Sequence, residues 1–179
     1  MSKVIIGLIG IAGSGKTLVA RHLVERHGFT RQRFAGPLKE MIKVGLGLTD
    51  EQLDGTSKNE PIAWAGGCTP RHMMQTLGTE WGRRMIHSDI WINRWRFIVE
   101  SESSDLIVVD DVRFPNEAAA LRDVGGKLWR VYRPGLATAN HASERAQAQI
   151  SEDVLINNAT SISEMIRSVD AVVAQVKGA

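Results

Sequence analysis

Eight residues near the start of the chain, Gly10-Ile-Ala-Gly13-Ser14-Gly15-Lys16-Thr17, combine the residue types that hold a polyphosphate. They fit the spacing G-x-x-x-x-G-K-[S/T] at every position. Glycines let consecutive backbone N–H groups curl around a phosphate, and a helix starting where the loop ends adds the positive end of its dipole. The Lys16 ammonium can reach β- and γ-oxygens, and the Thr17 hydroxyl can ligate magnesium. The implied chemistry is binding of a nucleoside triphosphate by Gly10, Gly13, Ser14, Gly15, Lys16 and Thr17. A ligand-free glycine-rich turn is the competing reading. The apolar run before the loop and the helical pattern after it argue against that reading.

Such a loop needs a carboxylate at the end of a neighbouring strand to manage magnesium. Leu106-Ile-Val-Val-Asp110-Asp111 offers two. Side chains alternate along a strand, so the two acids point to opposite sides and one of them faces the phosphates. The five histidines are scattered and Cys68 is the single cysteine, so no zinc-ligand spacing is visible and no transition-metal site is expected.

The hydrophobic pattern supplies the elements that must position these groups. Residues 4–9 are a short apolar run suited to a strand buried on both faces. Leu18, Val19, Leu23 and Val24 recur at helical spacing, with Gly28 as a stop. Residues 29–35 are a weaker strand because Arg31-Gln-Arg33 interrupts the apolar pattern. Residues 37–46 read as a helix with Pro37 in its first turn, and 45–70 as loop with at most short helix. Residues 71–86 and 90–102 read as helices carrying Trp81, Trp91 and Trp95. Strands at 106–109, 128–132 and 154–156 follow, with a helix at 117–124 between the first two. Ser161-Ile-Ser-Glu164 is a capping box opening a last helix to about residue 176. Strands alternating with helices predict an α/β fold, a doubly wound parallel sheet flanked by helices.

Composition narrows the class. At 179 residues, with 43% hydrophobic and 23% charged, the chain reads as one domain, 1–179, with an ordinary core. Its 22 Lys+Arg against 20 Asp+Glu leave +2 and no basic stripe, which disfavours nucleic acid as a partner. A lone cysteine excludes an internal disulfide and fits a reducing compartment. Apolar runs fall short of the ~18 residues of a membrane span. Met1-Ser2-Lys3 leads into Val4 without a signal-peptide pattern. The expectation is a cytoplasmic protein with no membrane partner.

Beyond the loop, Asp111-Val-Arg-Phe-Pro-Asn-Glu117 strongly resembles the signature of bacteriophage-type deoxynucleoside monophosphate kinases. Phe34-Ala-Gly-Pro-Leu-Lys39, Leu77-Gly-Thr-Glu-Trp-Gly-Arg83, Arg133-Pro, His141-Ala-Ser-Glu144 and Ile156-Asn-Asn agree with it, in the expected order, from residue 4 to about 170. In that family an acidic residue often follows the loop lysine; here Thr17 and Leu18 restore the ordinary loop form. The resemblance implies transfer of the ATP γ-phosphoryl group to a deoxynucleoside monophosphate, with Mg2+, giving the diphosphate. It implies a P-loop kinase fold with a helical acceptor-binding insertion, read at 35–100, and a small lid, read at 137–151. It also implies a homodimer, in the host cytoplasm if phage-encoded. Two other functions stay in view: a P-loop kinase for a nucleoside or dephospho-coenzyme A, and an NTP-hydrolysing switch or assembly protein. The missing Asn-Lys-x-Asp guanine motif and the long insertion disfavour the switch.

Phosphoryl transfer asks for positioning and for cations around the migrating charge. An acceptor phosphate is already ionised, so arginines are sought rather than a catalytic histidine. The candidates are Lys16, Asp111 and Arg113, with Arg133 or Arg145 stabilising the transferring charge. The resemblance places the magnesium-side acid at Asp111, beside the Thr17 hydroxyl. For the acceptor it implies Phe34, Lys39, Arg71, Thr79, Trp81, Arg83 and Arg113, and for adenine Asn157, with Asn158 beside it. Each has a plainer reading. Arg71 and Arg83 suit a solvated helix face, Asn157 a turn, and Trp91 and Trp95, at i and i+4, a core.

Overall fold

Branched apolar residues build the centre of a five-stranded sheet in the computed structural model, which describes residues 3–136 and 146–177. The strands are β1 (Val4–Ile9), β2 (Thr30–Gln32), β3 (Leu106–Val109), β4 (Lys127–Tyr132) and β5 (Val154–Asn157), in the order β2-β3-β1-β4-β5. Every neighbouring pair is parallel, with Val4 beside Leu106 and Ile6 beside Lys127. β1 and β3 are therefore wholly apolar, while β4 carries Lys127 and Arg130 among apolar residues. The weak pattern around Arg31 belongs to β2, a three-residue strand at the sheet edge, where polar side chains cost little.

The chain divides into two compact units, Met1–Arg33 with Ile98–Ala179, and Phe34–Phe97. In the first, helix α1 (Lys16–His27) and the long C-terminal helix, Ile162–Lys177, cover one face of the sheet. Val19, Ala20 and Leu23 of α1 join Met165, Val169 and Val173 in one buried cluster with Ile6, Leu8 and Trp129. The helix Pro115–Asp123 covers the other face, where Gly7 leaves room for Leu121 and Leu128. Gly28 ends α1 at φ 74°, donating its N–H to the Val24 carbonyl. Glu164 and Ser161 close the expected capping box at the last helix.

The second unit has its own core of Leu38, Ile42, Leu48, Leu53, Ile62 and Trp91. Its helices are α2 (Gly36–Leu46), α3 (Asp50–Asp54) and α4 (Pro70–Gln75), with two short 3-10 turns between the last two. Helix α5 (Ile90–Ser101) begins in this unit, making the sheet-covering helices α6 (Pro115–Asp123) and α7 (Ile162–Lys177). The helix expected at 71–86 is α-helical only to Gln75; Thr76–Ile86 is wound as a π-helix. A tertiary contact accounts for the difference. The Trp91 indole donates to the Gly78 carbonyl at 2.8 Å, and a Cβ on Gly82 would lie 2.6 Å from the same ring. Trp91 and Trp95 are buried, as their spacing predicts for core residues.

Candidate phosphate-binding site

The P-loop, 10–15, leaves the C-terminal end of β1 and runs into α1. This is the edge of an open parallel sheet at which ligands bind. Two of its glycines have no substitute. Gly10, at φ 144°, faces the backbone of β4, and a Cβ there would sit 2.4 Å from the Val131 carbonyl oxygen. Gly15, at φ 110°, precedes α1, and a Cβ would meet Asn158 Nδ2 at 2.8 Å. Ser14 is fully buried, with no hydrogen-bond partner for Oγ among the described residues. The Lys16 ammonium folds across the loop, donating to the Gly10 carbonyl at 2.5 Å and the Ile11 carbonyl at 3.0 Å. Thr17 lies exposed at the first turn of α1. A curled backbone, a helix start and a lysine across its mouth make a cradle for a polyphosphate.

The ends of β3, β4 and β5 surround this cradle. Asp110 is buried at 8% exposure; one carboxylate oxygen is ion-paired with Arg31, and the other lies 3.3 Å from Arg33 Nε. Arg31 and Arg33 share one side of the edge strand by alternation, which brings both to the same carboxylate. Asp111 is only half-buried. Thr17 carries a hydroxyl and Asp111 a carboxylate, the oxygen types a hard cation such as Mg2+ takes. Arg113 is exposed, on a backbone pinned by Glu117. The buried Glu117 carboxylate accepts from the Arg113 N–H at 2.7 Å and the Phe114 N–H at 3.1 Å, capping α6. Glu117→Ala is expected to cost about 1–2 kcal/mol by leaving these donors unmatched, lowering the melting temperature by about 2–8 °C in a thermal scan.

Arg133 follows β4 and is exposed. Of the two asparagines after Ile156, Asn157 is exposed at the end of β5. Asn158 turns toward the loop, its Nδ2 donating to the Ser14 carbonyl at 2.9 Å and its backbone N–H to the Tyr132 carbonyl. Sequence reading placed Asn158 near adenine and missed this loop-bracing role, whose only signal was a polar pair after an apolar strand. It also missed Gln147, buried, which donates to the Val112 carbonyl at 2.7 Å and anchors the backbone between Asp111 and Arg113. Of the segment expected as a lid, 137–145 lies outside the described residues, including Arg145 and the His141-Ala-Ser-Glu144 motif.

The second unit carries the other expected residues. Lys39 is ion-paired with Asp54, and Arg71 Nε donates to Asn59 Oδ1 at 2.7 Å. Arg83, on the π-helix, donates to the Ser88 carbonyl at 3.3 Å. Thr79 is exposed, and Trp81, 37% exposed, has its ring 6.4 Å from that of Trp91. Phe34, expected against the acceptor, is 2% exposed with its ring 4.7 Å from Trp95. Burial leaves it almost no surface for a ligand, so its visible work is packing.

Comparison with known proteins follows the same lines. The deoxynucleotide monophosphate kinase family pattern matches residues 64–169. A protein of Acanthamoeba polyphaga mimivirus named as a deoxynucleotide monophosphate kinase is 38% identical over 173 residues, covering 88% of this chain and 90% of that one. The deoxynucleoside-5'-monophosphate kinase of Escherichia phage T5 is 28% identical, covering 67% of this chain and 72% of the phage protein. Among solved structures, shikimate kinase from Bacteroides thetaiotaomicron aligns with a TM-score of 0.53 at 12% identity, over 98% of this chain and 99% of that one, a likeness of fold.

Proposed function

The chain belongs to the deoxynucleotide monophosphate kinase family, and from that premise we propose that it transfers the γ-phosphoryl group of ATP to a deoxynucleoside monophosphate. The observation that carries the reading is the loop 10–15, closed around a cradle where neither Gly10 nor Gly15 can bear a side chain, with Lys16 across it. An oxygen of the acceptor phosphate attacks the γ-phosphorus while the bond to the β–γ bridging oxygen breaks, leaving ADP and a deoxynucleoside diphosphate. Both reactants are anions, so the protein's task is alignment and charge compensation.

Each residue then has a physical task. Loop N–H groups and Lys16 hold the donor phosphates and offset the charge that grows on them. Thr17 and Asp111 would hold magnesium, which when bound supplies further positive charge at the phosphate oxygens. Arg113 takes the acceptor phosphate through its planar fork, with Glu117 and Gln147 fixing its backbone. Arg133 is the described candidate for charge on the transferring group. Lys39, Arg71, Thr79, Trp81 and Arg83 are the unit-two candidates for acceptor recognition.

ADP release in a coupled assay, over a panel of deoxynucleoside monophosphates, nucleosides and dephospho-coenzyme A, tests the reading. Turnover that requires a deoxynucleoside monophosphate sustains it, and acceptor-independent hydrolysis sinks it. Arg113→Lys keeps the charge but loses the bidentate geometry. The expected result is a rise in acceptor KM and a fall in kcat with ATP affinity little changed, read by titrating each substrate separately. Lost ATP binding with normal acceptor binding contradicts the assignment.

A further inference from the structure

Two histidines that looked scattered in the sequence meet a carboxylate on the face of the first unit where α1 packs on α7. His22 lies within α1, His27 is its last residue, and Asp170 belongs to α7. Each imidazole places Nε2 2.6 Å from the same oxygen, Asp170 Oδ1, and the three ligand atoms lie within 4.8 Å of one another. The rings stand edge to face, 5.3 Å apart, so they converge without stacking. None of the three takes part in the phosphate chemistry described above.

We propose that His22 Nε2, His27 Nε2 and an Asp170 carboxylate oxygen form a binding site for a divalent cation of the zinc class, which ties α1 to α7. Two imidazoles and one carboxylate make the three-ligand set that zinc completes with a water. Magnesium, which prefers an all-oxygen octahedron, is a poor occupant. Zinc–ligand bonds of about 2.0–2.1 Å set tetrahedral ligand spacings near 3.3 Å, so each N···O gap must widen by about 0.7 Å. The half-exposed Asp170 side chain can supply that movement, while the Nε2 atoms of the less exposed histidines, within 4.8 Å of each other, settle at the same spacing. Zinc takes the place of the Nε2 protons that now bridge to Asp170, so each ligating imidazole holds its remaining proton on Nδ1.

The platform is formed before any ion arrives. Val19, Ala20 and Leu23 of α1 are packed against Met165, Val169 and Val173 of α7. Lys177 adds a 2.9 Å hydrogen bond from the end of α7 to the His27 carbonyl. Little ordering remains to oppose binding. Because α1 begins at Lys16, an ion at its far end fixes the helix that carries the phosphate loop, while standing apart from the magnesium of the reaction.

The test uses the full chain, stripped with a chelator and titrated with Zn2+ alone, then with Co2+ as a spectroscopic probe. The expected result is one equivalent bound and a melting temperature raised by about 5–10 °C at a hundredfold excess over Kd. Co2+ should give the visible bands of a tetrahedral site. His27→Gln and Asp170→Asn should each abolish the shift and the bands, while Cys68→Ser and Asp111→Asn retain them. Asp170→Asn preserves shape, so a folding failure of one variant leaves the other decisive. Absence of any shift or bands in the native chain overturns the proposal, as does a response that survives both ligand variants or is matched by Mg2+.

Discussion

Lys16→Ala is expected to reduce kcat by about 10²–10³-fold while leaving the melting curve almost unchanged. The activity loss follows from the role of the ammonium. In an excluded-water site, removing one preorganised donor from a group whose charge grows in the transition state costs a rate factor of that order. The small effect on stability follows from the loop's other supports. Lys16 gives up two hydrogen bonds, to the Gly10 and Ile11 carbonyls, and of these Ile11 is only partly buried. The loop keeps the Asn158 brace on Ser14, the contact of Gly10 with the end of β4, and the first turn of α1. Steady-state turnover with saturating acceptor, alongside a thermal scan, separates the two effects. Near-native activity in a folded Lys16→Ala protein would falsify the phosphate-loop assignment.

The reason this loop was legible is that its determinants are local. Three glycines, a lysine and a threonine lie within eight residues, and the flanking strand and helix announce themselves by period. β1 and β3 were legible for a related reason: strands buried on both faces have to be apolar throughout, and β4 keeps an apolar run despite Lys127 and Arg130. β2 was faint because an edge strand need not be apolar, and its Arg31, with Arg33 just beyond it, serves Asp110 instead. The π-helix at Thr76–Ile86 was not legible, since the wider winding goes with Trp91 of the next helix, whose indole donates to the Gly78 carbonyl and whose ring closes on Gly82. Asn158 and Ser14 are 144 positions apart, and His27 and Asp170 are 143 apart. Such pairs exist only once the strand order is known, and strand order is not written in any local pattern. The family resemblance supplied the identities of candidate acceptor residues, but it could not say that Phe34 would be buried against Trp95.

The acidic pair after β3 offers the sharpest division between function and fold. Asp111→Asn is expected to lower kcat on the order of 10²-fold, and added magnesium should recover part of the loss, with little change in melting temperature. Asp110→Asn is expected to act chiefly on stability. Its buried carboxylate sits against two guanidiniums, and removing one member of a buried ionic group leaves the others uncompensated. Arg31 is about a third exposed, and water reaches its head group, so the loss should be near 2 kcal/mol rather than the larger cost of a dry pair. For a chain of this length that lowers the melting temperature by about 4–8 °C. The geometry explains why neighbours should differ: Asp110 is turned toward the edge strand, where Arg31 and Arg33 wait, whereas Asp111 is half-buried and heads the segment ending at Glu117. Activity measured against magnesium concentration, with a melting curve for each variant, decides the matter. If Asp110→Asn alone raises the magnesium requirement, the metal-side acid is Asp110 and the arginine pair tunes it. If Asp111→Asn destabilises the protein without touching the magnesium dependence, the assignment of Asp111 fails.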